Sequence, residues 1–216
     1  MTTPDPLSTQ QAYYRAAAEE YDDSYGEDGG PLRAASRALD FIGVDGDTVE
    51  LACGTGQWSR LLEPRASRLT CVDGAPETIA IARGRVGPDV EFVVADIFSW
   101  QPSHRYDTVF FSFWLSHVPW DMWPGFWHSI AGMVGPDGVV GVVDETAEGV
   151  IDKERWTDVP DLVTRQLTDG SEHQVVKLQL VPEDVVAILA DLGWAATVDL
   201  FHPGTFALRA RLSSTA

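Results

Sequence analysis

The chain has 216 residues, enough for one domain that buries most of its apolar surface, and 44% of them are hydrophobic. Against 33 acidic side chains stand 15 lysines and arginines, a formal net charge of -18. Such a field repels phosphate backbones and anionic bilayer surfaces, so nucleic acid and membrane are excluded as expected partners. No apolar run approaches the roughly 20 residues that span a bilayer, and "MTTPDPLSTQQ" has neither the basic nor the apolar part of a signal peptide. A cytoplasmic protein is expected.

In chain order, the first roughly 30 residues form a distinct segment. "YYRAAAEEYDDSYGEDGG" reads as one helix with a flexible, solvated hinge, and Pro31 opens the next helix. From residue 48 strands and helices alternate. "TVELA" is a strand, followed by a glycine turn and a short helix through Leu62. "LTCVD" is a strand and "APETIAIAR" a helix with Pro76 in its first turn. "VEFVVAD" and "DTVFFSFW" are strands, a helix covers Asp121 to Met133 with Asp121 as N-cap, and "GVVGVVDE" is a strand. These runs are apolar end to end, as in strands covered on both faces. The repetition predicts an α/β, Rossmann-like doubly wound sheet. Residues 147–180 interrupt it with "DVPDLVTRQL", read as helical, a turn at "TDGSE" and a strand-like "HQVVKLQL". An insertion of that length after the fifth strand suits a substrate cap. A helix from Pro182 to Leu192, stopped by Gly193, leads to "WAATVDLF" and "TFALRARL". Only "HPG" separates these two strands, so the last is antiparallel and the sheet has seven strands. The whole, 1–216, reads as one domain with a helical lid at 1–30 and the cap at 147–180.

The chemistry concentrates at the carboxyl ends of the strands, where doubly wound sheets bind ligands. In "VELACGTGQW", Gly54 and Gly56 permit close backbone approach to a ligand. A dinucleotide fingerprint would place a third glycine at Ser59, and the bulky Trp58 fits a pyrophosphate cradle poorly, which argues against an NAD-dependent oxidoreductase. Asp73 can take both hydroxyls of a ribose. Asp96 can accept from an adenine amino group while Ile97 faces the ring. Glu50, inside the first strand, needs a buried donor, and an ammonium group supplies one through water. Adenosine with an amino-acid tail and no phosphate describes S-adenosyl-L-methionine (SAM). Cys53 and Cys71 read as buried thiols, and no metal site is expected.

At these residues the sequence resembles the class I SAM-dependent methyltransferases. "ELACGTG" is similar to their first motif, with Ala52 where many members carry glycine; "TCVDGAPETI", "VVADIFSW", "YDTVFFSFWLSHVP" and "MVGPDGVVGVVDE" resemble the next four. A narrower resemblance, through "YYRA", "EYD", "GTGQW", "VDGAPE", "FFSFWLSHVP" and "VVK", is to the small bacterial O-methyltransferases that methylate a phosphonate, as in dehydrophos biosynthesis. The resemblance implies cofactor contacts from Tyr14, Tyr21, Glu50, Gly54, Thr55, Gly56, Trp58, Asp73, Gly74, Asp96, Ile97 and Phe113. It implies S-adenosyl-L-homocysteine (SAH) as product, and a small-molecule methyl acceptor. His117 is the expected catalytic or orienting residue, with Trp114, His117, Arg165 and Lys177 on the acceptor side; an arginine fork suits a phosphonate or carboxylate. Trp123 and Trp127, four apart, read as helix packing, and His173 as exposed and idle. Transfer to oxygen is the expected reaction. Transfer to nitrogen or carbon, or a non-catalytic SAM-binding partner subunit, stand as alternatives, and a homodimer is compatible with the sequence.

Overall fold

The computed structural model describes residues 6–25, 29–151 and 154–213. Its centre is a seven-stranded sheet in the order β3-β2-β1-β4-β5-β9-β8. The strands are β1 (Asp47–Leu51), β2 (Arg68–Asp73), β3 (Glu91–Val94), β4 (Tyr106–Ser112), β5 (Val134–Glu145), β8 (Trp194–His202) and β9 (Thr205–Leu212). The first five run parallel, and β9 lies antiparallel between β5 and β8. The strand order switches sides between β1 and β4, so the connections at their ends diverge and leave a crevice there.

Side-chain alternation divides the core into two layers. Val49, Leu51, Val109 and Phe111 face α5 (Trp123–Met133) and α7 (Pro182–Asp191). Phe110 and Cys71 face α2 (Ala35–Ile42), α3 (Ser59–Leu62) and α4 (Pro76–Ala82). Trp123 and Trp127 are fully buried in the first layer, in keeping with helix packing. Among the described residues no helix is long and apolar enough to cross a membrane.

Three local expectations are corrected. The first helix, α1, spans Pro6–Ala16; it ends before the acidic stretch, because Ala17 and Ala18 turn into the interior, and Tyr21–Tyr25 follows as a 3-10 turn. The expected hinge falls partly on residues 26–28, outside the described residues. Asp121 is no N-cap: it sits in a 3-10 turn, Trp120–Met122, and α5 starts at Trp123 with Pro124 in its first turn. "DVPDLVTRQL" is not helical either. Leu162–Gln166 is β6, paired antiparallel with β7 (Glu172–Val176) in register Arg165 with His173. Consecutive β-branched Val163 and Thr164 favour the strand, and Gly170 turns the hairpin at a φ of 86°. The short helix α6 (Ala147–Val150) leads from β5 toward this hairpin.

Candidate functional site

The ends of β1, β2, β3 and β4 form the floor of a cavity of about 360 Å³, and α1 with Tyr21 roofs it. Of the residues expected from sequence, Tyr14, Tyr21, Gly54, Asp73, Gly74, Asp96, Ile97, Phe113 and Trp114 line it. Ala52 and Phe113 hold the left-handed backbone at φ 52° and 50°, next to Gly54 at 52°. Two strained residues and a glycine beside one cavity show a floor shaped for close backbone approach at a cost to the chain. Asp73 fixes this floor: its carboxylate accepts from the amides of Gly54 and Ala75, both at 2.8 Å. Burial raises its pKa, and those backbone bonds hold the rise back. Asp96 accepts from the amide of Phe98 at 3.1 Å and stays exposed at the far end.

Other expected residues lie behind the floor or above it. Gly56 does not face the cavity. A Cβ there would meet the Ala82 Cβ at 2.9 Å, so this glycine lets α4 pack on the loop. Trp58 is buried in the second core layer against Phe110, with ring centroids 5.6 Å apart. Thr55 is also buried, and its hydroxyl donates to Asp22 at 2.6 Å, while Arg85 pairs with the same carboxylate. Its role is therefore to hold down the segment that carries Tyr21.

Glu50 is buried behind the turn, where Ser59 and Cys71 donate to one oxygen and Oε1 has no partner. Burial pushes its carboxyl up to about 8. Cys53 and Cys71 are buried free thiols, as expected.

On the roof side, His117 is buried and its Nδ1 bonds the carbonyl of Val176. A carbonyl only accepts, so Nδ1 carries the proton. Burial, then Lys177, then Arg165 depress the pKa of the ring, so it stays neutral. The Tyr14 ring meets it edge-on, 5.7 Å between centroids. Lys177 is no free cation: it is 1% exposed, and its ammonium donates to Ser116 Oγ at 3.1 Å and to Glu145 at 2.8 Å. That corrects the expectation of a lysine open to an acceptor anion. Arg165 pairs with Glu154 and lies over the Tyr13 ring, 5.6 Å from its centroid. Burial opposes its charge, and the paired Glu154 carboxylate holds it. His173 is half-buried against Tyr13 at 5.7 Å, not exposed.

Sequence reasoning missed Gln10, Gln11, Ser112 and Met122, which also line the cavity. Ser112 was reachable, since it ends β4. The glutamines gave no signal: nothing in "STQQ" sets Gln10, which becomes buried, apart from Gln11, which stays exposed.

A profile of a methyltransferase domain matches residues 49–138. The solved DhpI–SAH complex is similar at 38% identity and a TM-score of 0.85, covering 99% of this chain and 100% of that one. The chain belongs to the class I SAM-dependent methyltransferases. The DhpI–SAM–HEP complex matches at 37% identity and a TM-score of 0.83, over 98% and 100% of the two chains. Trans-aconitate 2-methyltransferase of Escherichia coli is 39% identical over 95 residues, 43% of this chain; the match spans only 36% of that relative's length.

The residues present fit SAM, the cofactor of this class. The strained turn beside Gly54 leaves room for close approach, Asp73 and Asp96 stand at successive strand ends, and Glu50 Oε1 is an orphaned buried acceptor behind them. Tyr14 and Tyr21 form the roof. Burial raises the pKa of both phenols, so they remain neutral hydroxyls.

Proposed function

We propose that this methyltransferase methylates an oxygen of a small anionic acceptor, a phosphonate or a carboxylate. When bound, SAM supplies an electrophilic methyl group on a sulfonium. The observation that carries the anionic reading is Arg165. It is a largely buried cation, and its charge acts on Tyr14, Tyr21 and His117, the side chains around the inner side of the roof. Glu154 takes two of its N–H donors and the Tyr14 hydroxyl bonds it as well, while a guanidinium has five. The remaining fork can hold a second oxyanion. The relative named for trans-aconitate, a carboxylate, is consistent with such an acceptor.

In this reading Gly54, Gly74, Asp73, Asp96 and Ile97 hold the cofactor, with Phe113 and Trp114 excluding water at the end of β4. Glu50 takes the ammonium of the methionine end through water. An anionic oxygen is already a nucleophile and needs no general base. His117, neutral and fixed through Nδ1, presents Nε2 as an acceptor that orients a protonated oxygen. Alignment then supplies most of the rate gain. Lys177 acts behind this wall, holding Ser116 and Glu145 in place.

A SAH-release screen over phosphonates, carboxylates, phenols and amines tests the proposal. Anionic acceptors are expected to turn over, with Arg165→Ala raising their KM at least tenfold. Turnover of amines alone, with Arg165→Ala silent, would overturn it. Calorimetric binding of SAH without turnover of any acceptor would favour the non-catalytic partner subunit.

A further inference from the structure

The roof helix is unusual in what it buries. Of the eleven residues of α1, the buried one is Gln10, a polar side chain. An eleven-residue helix is marginal in water on its own, and tertiary contacts must hold it. Here the contacts are polar. Gln10 Nε2 donates to the backbone carbonyl of His117 at 3.2 Å, and Gln10 Oε1 accepts from the amide of Val176 at 3.1 Å. Thr9 adds a hydroxyl bond to the carbonyl of Gln174 at 3.0 Å.

The circuit closes on itself. Val176 ends the β6–β7 hairpin; its N–H is taken by Gln10, and its carbonyl accepts from the His117 ring. Three elements distant in sequence are thus joined: the roof helix, the cap hairpin and the turn after β4. A carboxamide presents a donor and an acceptor on one short group, so it can join the two backbones only when both are in place. Gln10 also lines the cofactor cavity, with Gln11 and Tyr14 on the same helix.

We propose that Gln10 is a positioning residue that couples closure of the roof over the cofactor to the placement of His117 and the cap hairpin on the acceptor side. This rests on the SAM-binding reading of the cavity. Settling α1 onto a bound cofactor brings Gln10 to its two backbone partners. The hairpin end and the His117 ring then lock in one event. Withdrawing α1 breaks both bonds at once, because one carboxamide makes them both.

Hydrogen exchange of the full chain, with and without saturating SAH, reads the coupling directly. In the unmodified protein SAH is expected to slow exchange at least tenfold in peptides covering 49–58, and also in those covering 115–118 and 162–176. Gln10→Met removes both bonds at nearly constant volume; it should keep the protection at 49–58 and lose it at 162–176. Gln10→Glu keeps the bond from Val176 but turns a carboxylate on the His117 carbonyl, and should lose protection chiefly at 115–118. It stands in where Gln10→Met fails to fold. The His117 imidazole resonances should respond to SAH in the unmodified protein and not in Gln10→Met. Full hairpin protection retained in Gln10→Met, full protection at 115–118 retained in Gln10→Glu, or no hairpin protection in the unmodified protein, would overturn the coupling. SAH failing to bind the unmodified protein by calorimetry would instead overturn the cofactor reading beneath it.

Discussion

The floor and the roof of the cavity are built by different physics. The floor is made of strand ends whose neighbours are fixed by the sheet ladder, with apolar side chains buried on both faces. The roof is made of α1 with Tyr21, and α1 is tied to the cap hairpin and to the turn after β4 by hydrogen bonds between residues more than a hundred positions apart. Floor residues are set by backbone geometry and tolerate little change. Roof residues are set by polar partners and, under the proposed coupling, engage together. The largest expected effect sharpens the contrast on the roof side. Lys177→Met leaves Glu145 and Asp144 without their buried cation, and Asp144 is wholly buried with its pKa raised by that burial. Breaking a buried pair by removing one partner costs about 3–5 kcal/mol. Denaturant unfolding should show that loss; a change too small to measure would mean that the ammonium is dispensable to the wall.

The second effect is on the floor. Asp73→Ala removes the carboxylate that holds the amides of Gly54 and Ala75 and, in the proposed reading, the acceptor for a ribose. Hydrogen bonds to a charged group are worth about 1.5–3 kcal/mol each. SAH affinity is therefore expected to fall at least a hundredfold, about 2.7 kcal/mol. Calorimetry that finds near-normal affinity would place the ligand elsewhere.

This division also explains what the sequence made legible. The parallel sheet, its order of elements and the antiparallel last strand follow from long apolar runs and from the short "HPG" link between β8 and β9. Asp73 and Asp96 line the cavity as expected, because strand ends face the crevice. The errors fall where the outcome depends on distant partners. β6 was taken for a helix because its charges hid the two β-branched residues that pair with β7. Lys177 and Arg165 read as acceptor-side cations because nothing local in the sequence shows Glu145 or Glu154 arriving beside them. Gln10 was passed over because a glutamine on a helix is ordinarily exposed. Gly56 was assigned to the ligand because a motif shows which residue is small without showing what presses on it.

That last point gives a third test, between two glycines of one turn. Gly56 holds a φ of 82°, and a Cβ there meets Ala82 at 2.9 Å; Gly54 holds a φ of 52° with nothing nearer than Tyr21 at 3.8 Å. Gly56→Ala should cost about 1–3 kcal/mol of stability through overpacking against α4. Gly54→Ala carries the strain of a left-handed alanine alone, about 1–2 kcal/mol, but places a methyl group in the cavity. Melting curves should therefore rank Gly56→Ala as the less stable protein, and SAH titrations should rank Gly54→Ala as the weaker binder. The reverse ranking would return Gly56 to the ligand and take Gly54 from it.

The smallest effect is a slope with pH, and it asks whether the floor senses its ligand from behind. Glu50 is buried with one oxygen unpartnered, and its carboxyl is pushed up to about 8 from an ordinary value of 4.5. A raised folded pKa stabilises the protein fully below pH 4.5, and that contribution is lost as pH rises through about 8. The free protein should thus weaken between those limits. An ammonium held through water favours the ionised carboxylate, so SAH binding should release a proton and tighten over the same range. Below pH 8 the ionised fraction falls tenfold per unit, so affinity should fall by up to tenfold per unit, about 1.4 kcal/mol. Glu50→Gln keeps the shape, cannot titrate, and should flatten both slopes. If SAH binds the unmodified protein equally at pH 6 and pH 9, or Glu50→Gln retains the slope, Glu50 is only a buried acid bonded to Ser59. The amino-acid end of the cofactor must then be held from the roof.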